Sequence, residues 1–398
     1  MLTFMDHVQN AWLDATHWNQ DNTYSNLTAT SRALLDFPTP LGLRLHVSSL
    51  SSANLATSYT LGSVGVVDGS ASYLYSSLPL GGTSSRSRDL ELCSVIQGYR
   101  PLQELRRPDE PWWWEVWQKG QRIDRKNTLL YGRLYLPSSH LEALYLRRLS
   151  PTTQLRLSCV SNSSLKSGGT ILSLIQRDVG KHSIEGLYSS DSALLGARGI
   201  YNFGRDPRVA PEEAGSSSTP EPTTRFTAGL EAYYGLLNAS GGLSTGLRYA
   251  TLPTHPGFPL TVTLTLNPLM GNLEGTYAVK AGRDLSLASR FAFNAYSYES
   301  DVVLGCEIWR RRRRSPRPQL RDDDVDEREA KGTHLLPGGD GGDDSVQGVL
   351  KARVDQNWNV GLLWEGRIKE LLFTLGMSYP LIAPGEIMTD EEVARLVI

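Results

Sequence analysis

The residues that most often carry metal or nucleophilic chemistry are scattered along this chain. The histidines, His7, His17, His46, His140, His182, His255 and His334, contain no His-Glu-x-x-His run and no other metal-ligand spacing. Cys93, Cys159 and Cys306 are far apart and odd in number, which predicts neither a disulfide framework nor a clustered metal site. There is no phosphate-binding loop of the Walker type, and serine and histidine are too dispersed for spacing to support a triad. The chain is therefore expected to be no enzyme and to need no cofactor and no metal. Arg310–Arg314 has the composition of a nuclear signal, a nucleic-acid patch or an anionic-lipid contact. Asp322, Asp323 and Asp324 follow closely and nearly cancel it, so a solvated, self-compensating loop is the favoured reading. Gly338-Gly339-Asp340-Gly341-Gly342-Asp343-Asp344 faintly resembles a calcium repeat, but one copy cannot stack into the β-helix that builds such a site. Trp112, Trp113, Trp114 and Trp117 have three open roles: a membrane interface, a partner's hot spot, or packing under their own loop.

The elements that would position these groups are strands. The chain has 398 residues, 40 Lys+Arg against 42 Asp+Glu, a net charge of −2 and a hydrophobic fraction of 40%. Its mean hydropathy is −0.29, and it lacks the run of about 18 apolar residues that a spanning helix needs. A membrane β-barrel remains open, because only alternate side chains face lipid. The charge balance argues against nucleic acid, whose binding rests on many Lys/Arg–phosphate contacts.

From about residue 41 the pattern alternates. Leu41, Leu43, Leu45 and Val47 alternate with Gly42, Arg44 and His46, and 260–266 reads Leu-Thr-Val-Thr-Leu-Thr-Leu. Seventeen to nineteen such segments follow one another between short turns, which predicts one up-and-down antiparallel sheet closed into a barrel. Apolar faces opposed by threonine, and tyrosine and tryptophan near strand ends (Tyr73, Tyr75, Tyr233, Tyr234, Tyr296, Tyr298, Trp309, Trp358, Trp364), fit aromatic girdles. They also fit plain β propensity in a soluble fold. Ahead of the strands, Phe4, Val8 and Trp12, with Met5 and Leu13 beside them, have the spacing of a short amphipathic helix. It could dock on a domain surface, sit in a barrel lumen or lie on a membrane. The N-terminus has neither the basic flank and apolar core of a signal peptide nor the Arg-rich, acid-poor character of a transit peptide. The expected organisation is one barrel domain over 1–381, with the helix within about 1–30. Loops are expected at 100–127, 205–225 and 310–345, and an atypical tail over 382–398.

Several collinear segments resemble a known family. They are 28–37 (Thr-Ala-Thr-Ser-Arg-Ala-Leu-Leu-Asp-Phe), 69–75 (Gly-Ser-Ala-Ser-Tyr-Leu-Tyr), 131–139 with 146–151, 267–271 (Asn-Pro-Leu-Met-Gly), 293–297 (Phe-Asn-Ala-Tyr-Ser) and 363–366 (Leu-Trp-Glu-Gly). The resemblance is to the fungal mitochondrial distribution and morphology protein 10 family and runs from Met1 to about Gly376. It implies a porin-like transmembrane antiparallel barrel of about 19 strands in the mitochondrial outer membrane, with the N-terminal segment inside. It implies a non-enzymatic scaffold with two partner sets. One is the lipid-transfer and ER-anchored subunits of the ER–mitochondria encounter structure, which supports phospholipid exchange and mitochondrial morphology. The other is the sorting and assembly machinery that inserts outer-membrane barrels. Outer-membrane phospholipids complete the partner list, and a porin-like solute channel is the alternative. By resemblance, Tyr73 and Tyr75 match a surface used toward the assembly machinery, and Tyr296 and Ser297 one used toward the tether. Thr374, Gly376, Tyr379 and Leu381 fit the spacing of the family's insertion signal, with Pro380 inside it. Proline is poor in a paired strand. In the family this segment resembles the penultimate strand, and Ile382–Ile398 stands where a closing strand is expected. Thr389-Asp390-Glu391-Glu392 there has the look of a helix N-cap. The native chain is expected to end in another strand, which sequencing the 3′ end of the transcript checks.

Overall fold

A computed structural model of the chain describes residues 1–40, 42–64, 66–80, 83–103, 105, 115–118, 121–124, 127–163, 168–204, 223–311 and 346–380. The chain opens with helix α1 (Phe4–Ala15). Thr3 caps it: its Oγ1 accepts from the Asp6 N–H at 3.3 Å, and Asp6 Oδ2 accepts from the Thr3 N–H at 3.3 Å. This reciprocal box satisfies two donors that a helix start leaves open. A 3-10 turn (Tyr24–Asn26) and helix α2 (Ala29–Leu35) follow.

The strands come next: β1 (Leu43–Ser52), β2 (Leu55–Val64) and β3 (Val66–Ser76), then helix α3 (Leu92–Val95) and a separate two-stranded hairpin, β4 (Glu115–Gln118) and β5 (Gln121–Asp124). The series resumes with β6 (Thr128–Leu136), β7 (His140–Ser150), β8 (Thr153–Ser161), β9 (Gly169–Asp178), β10 (His182–Ser189), β11 (Leu194–Phe203) and β12 (Thr224–Gly235). It ends with β13 (Ser240–Thr251), β14 (Leu260–Asn267), β15 (Asn272–Val279), β16 (Leu285–Asn294), β17 (Ser300–Arg311), β18 (Val346–Asp355), β19 (Asn359–Ile368) and β20 (Leu371–Pro380). Each strand pairs antiparallel with the next, and β3 pairs directly with β6. The result is one meander of 18 strands, against about 19 expected. The insertion at 100–127 contains the β4–β5 hairpin within its described part. Most of the other two expected loops, the arginine run beyond Arg311, the Gly/Asp stretch, Trp112–Trp114 and the tail 382–398 lie outside the described residues.

The wall curls into a barrel around its own N-terminal segment. Met5, Val8 and Trp12 of α1 pack with Ala56 of β2, Leu74 of β3, Leu129 of β6, and Leu144 and Leu146 of β7. At the other end of the sheet, Leu34 and Leu35 of α2 pack with Ala278, Ala288 and Val303 of β15–β17. Pro40 lies against Gly376 of β20, where a β-carbon would sit 2.4 Å from Pro40 Cδ. The first 40 residues therefore make contacts along the inner wall from β2 to β20. Of the three places left open for the helix, the lumen is where it sits.

The side-chain parity is inverted relative to a soluble sandwich. On β14 the threonines point inward, with Thr261 and Thr263 buried, while Leu264 and Leu266 are exposed on the outside. On β1 the outward set is Leu43, Leu45 and Val47, all exposed. A two-residue period forces this split, and only a lipid surround makes an apolar outside favourable. Strands of eight to twelve residues match the ~9–11 that cross a bilayer at a tilt. Among the described residues no helix is long and apolar enough to cross a membrane.

Candidate functional site: the occupied lumen and the two rims

Two arrangements distinguish this barrel: the seat of its N-terminal segment and the aromatic rims. The seat is built by inward-pointing polar residues at strand positions two apart. On β18, Lys351 and Arg353 share the inward face. Lys351 Nζ donates to the Ala33 carbonyl at 3.3 Å and to that of Gln97, and pairs with Glu365 of β19 at 3.8 Å. Arg353 Nη1 donates to the carbonyls of Leu35 at 3.0 Å and Phe37 at 3.4 Å. The Ala33 and Leu35 carbonyls are among those that the end of α2 leaves without helix partners, and cations suit that end of a helix. Arg290 of β16 forks onto Asp36, with Nη1 at 2.8 and 2.9 Å from its two oxygens. Arg248 of β13, 2% exposed, donates to the carbonyls of Asn26 at 3.4 Å and Asp21 at 3.3 Å. Asn22 is a buried hub: its Nδ2 donates to Asp178 Oδ1 at 2.6 Å and to the Gly180 carbonyl at 3.0 Å, and its Oδ1 accepts from Asn202 at 2.7 Å. A buried amide that keeps its partners costs little; left unpaired it is expensive.

Where the segment comes nearest the wall, the wall is glycine. A β-carbon on Gly305 would lie 2.6 Å from Leu35 Cδ2, and one on Gly229 2.6 Å from the Tyr24 ring. Burial raises the Tyr24 phenol above its ordinary range, while its hydroxyl is shared with Ser244 at 2.8 Å. Ser244 is the centre of a Gly-x-Ser-x-Gly spacing at 242–246. That spacing runs along β13, paired on both sides, without the strand–turn–helix that makes such a serine a nucleophile. His7 is buried on α1, and burial lowers its pKa below the ordinary imidazole value. Among the described residues no group of three His, Cys, Asp or Glu could hold a metal ion.

The rims carry the aromatic residues. One rim has the short hairpin turns, including 235–240, 267–272, 294–300 and 355–359. Leu237 (76% exposed), Met270 (63%), Tyr296 (67%), Tyr298 (81%) and Trp358 (65%) stand on them. The opposite rim carries the long connections and an outer aromatic row in which Tyr201, Phe203 and Phe226 stack, with centroids 5.0 and 5.3 Å apart.

The sequence-predicted residues fall as follows. Tyr73 and Tyr75 lie on the outer face of β3, both about half exposed, and the Tyr73 hydroxyl is 3.0 Å from that of Tyr59. Tyr296 and Ser297 occupy the β16–β17 turn. Asn294 Oδ1 accepts from both backbone N–H groups, at 2.8 and 3.1 Å, and Tyr296 donates its hydroxyl proton to the Pro268 carbonyl at 3.0 Å. Gly271, at φ 71, leaves room for that ring. The two pairs are not brought together: ten strands, β6 to β15, lie between them, and they stand near opposite rims. In β20, Thr374 and Gly376 point inward and Tyr379 outward, paired with Val360. Pro380 is the last strand residue and Leu381 lies outside the described residues. Sequence reasoning missed Asn22, Arg248, Lys351, Arg353 and the glycines of the seat. The available signal was a charged residue recurring every second position within otherwise apolar alternation.

A polar-lined barrel with an apolar, aromatic-girdled outside and its own N-terminal segment in the lumen defines a transmembrane β-barrel protein. The family model described as mitochondrial distribution and morphology protein 10 matches residues 1–336 and 327–386. A Phaeosphaeria nodorum protein of that name is 62% identical over 96% of this chain and 95% of its own length. Relatives of the same name from Sclerotinia sclerotiorum (60% identical, 95% of each chain) and Podospora anserina (45%, 97% of each) align along nearly the whole length. The chain belongs to the mitochondrial distribution and morphology protein 10 family.

Proposed function

We propose that this protein is a scaffold in the mitochondrial outer membrane. In this reading it joins the ER–mitochondria encounter structure, in support of phospholipid exchange and mitochondrial morphology, and the machinery that assembles outer-membrane barrels. The observation that carries the scaffold reading is the occupied lumen. A barrel whose interior is taken up by its own first 40 residues works through its outer face, rims and loops. Tyr73 and Tyr75 on β3 would serve the assembly machinery, and Tyr296 and Ser297 on the opposite rim the tether. Partners competing for one barrel would divide it between two pools by mass action. A porin-like channel is the alternative, and no observation here favours it.

The test is a tagged pull-down from gently solubilised mitochondria, with partners identified by mass spectrometry. Recovery of ER-anchored lipid-transfer subunits together with barrel-assembly subunits is the expected result. Tyr73→Ala with Tyr75→Ala should deplete the assembly subunits several-fold and leave the tether. Tyr296→Ala with Ser297→Ala should do the reverse. Recovery of neither set, from a protein that still resists carbonate extraction, would refute the scaffold.

A further inference from the structure

Charge on the barrel wall is sorted by sign. Among the described residues, every Asp and Glu on a strand of the 18-stranded sheet takes the inward parity, as with Glu142, Glu185, Glu307 and Glu365. The ionisable side chains with outward parity, tyrosines and cysteines aside, are Arg147 on β7, Arg177 on β9, His182 on β10 and Arg310 on β17, all at the rim of long connections. Three of the four stand together. Arg147 is opposite Leu155, Arg177 opposite Thr153, and Arg177 also opposite Ile184, two residues from His182. At ~4.8 Å per strand and ~3.4 Å per residue this places Arg147 and Arg177 about 12 Å apart. Lys181, in the turn between β9 and β10, adds a fourth basic side chain, with Nζ 5.7 Å from the centre of the outward Tyr201 ring. Among the described residues no carboxylate pairs with Arg147, Arg177 or Lys181. The neighbouring Asp178 faces inward, bound to Asn22. Arg147 Nε is buried without a partner. Level with the cluster and below it the outer face is Leu155, Leu157, Ile175 and Ile184, a surface for acyl chains.

We propose that Arg147, Arg177 and Lys181, flanked by His182, form a binding site for the headgroup of an anionic phospholipid in the leaflet that meets this rim. Snorkelling alone explains basic residues at an interface. It does not explain three of them gathered within four strands, with every wall carboxylate turned away. Guanidinium forks match phosphate oxygens, and the acyl chains of the same lipid would run down the apolar strip, which a free phosphate lacks. The inference rests on the barrel spanning a bilayer, not on the partner assignments.

The test uses the full-length protein in nanodiscs of phosphatidylcholine with a minor fraction of phosphatidylinositol, after flotation has verified insertion. Lipids retained on transfer to a neutral detergent are counted by mass spectrometry. Wild type should retain phosphatidylinositol well above its input ratio. Each charge removed should lower that retention by roughly fivefold, the factor equivalent to about 1 kcal/mol per basic residue at a lipid surface. Arg147→Gln/Arg177→Gln/Lys181→Gln should therefore fall to the input ratio. Arg147→Lys/Arg177→Lys should keep most of the enrichment, and Arg310→Gln, which removes one basic side chain from β17, seven strands beyond β10 on the same rim, should keep nearly all of it. Soluble glycerophosphoinositol should not compete. Retention at the input ratio in wild type, an equal loss with Arg310→Gln, or full competition by the soluble headgroup would each overturn the proposal. Failure of flotation would instead refute the spanning barrel.

Discussion

At the scale of single residues, the N-terminal segment is held by buried polar groups rather than by a broad apolar face alone. Asn22 joins three parts of the chain: its own segment, the end of β9 and the turn after it through Asp178 and Gly180, and β11 through Asn202. Asn22→Ala strands these partners in the interior, where an unmade hydrogen bond costs about 1–3 kcal/mol. Urea unfolding of the reconstituted protein should show a loss of that size, and Asn22→Asp should not restore it, because a second carboxylate would face Asp178. His7 adds a pH dependence. Its folded pKa lies below the ordinary 6.5 because burial disfavours the charged ring. The unfolded chain therefore takes up the proton first as pH falls. The stabilisation from neutral His7 is complete above about pH 6.5 and is lost as pH drops from there toward the folded value. Thermal midpoints measured at pH 7.5 and 5.0 should differ less in His7→Phe than in wild type.

At the scale of elements, the seat depends on inward glycines. Gly305→Val puts carbon where Leu35 now packs, and Gly229→Val meets Tyr24. Overpacking of this kind costs about 1–3 kcal/mol and should loosen the segment, so limited proteolysis should cut within residues 1–40 faster. Gly199→Val is the control, since nothing lies within 4 Å of a β-carbon there. If all three variants were cut at the wild-type rate, the segment would not depend on these glycines. The alternation at 41–47 and 260–266 located β1 and β14, because a period of two is written directly in residue types. Phe4, Val8 and Trp12 marked α1, but spacing cannot say which surface receives an apolar face, so its place in the lumen came only with the fold. The alternating charges marked Lys351 and Arg353 as inward, but what they and Asn22 bind was not legible, because their partners stand 156 and 318 residues away. Tyr296 was placed on a strand end; the turn around it depends on Asn294 and Gly271, which bind and admit it through space.

At the scale of the whole molecule, the question is what an 18-stranded wall encloses. Barrels of 16–18 strands leave an aqueous channel when nothing enters them. Here the first 40 residues cross that space, touching the wall from β2 to β20, and Gln97 and Tyr99 add contacts to Lys351 and Glu307. Ion flow must pass whatever gaps these segments leave. The full-length protein in a planar bilayer should therefore conduct far less than an open barrel of this size. The Gly229→Val/Gly305→Val double variant should conduct several-fold more, because an unseated segment restores the aqueous path without removing a strand. The outer face gives a second readout of the same geometry. Cys159 and Cys306 share the outward parity of their strands, whereas Cys93 is exposed on α3, whose Leu92 packs on the inward Val349 of β18. A water-soluble maleimide applied to the reconstituted protein should reach Cys93 well before the other two, and detergent should narrow the gap. Wild-type conductance equal to that of the double variant, with unchanged cysteine labelling, would mean that the segment does not block the path. The channel reading would then replace the scaffold.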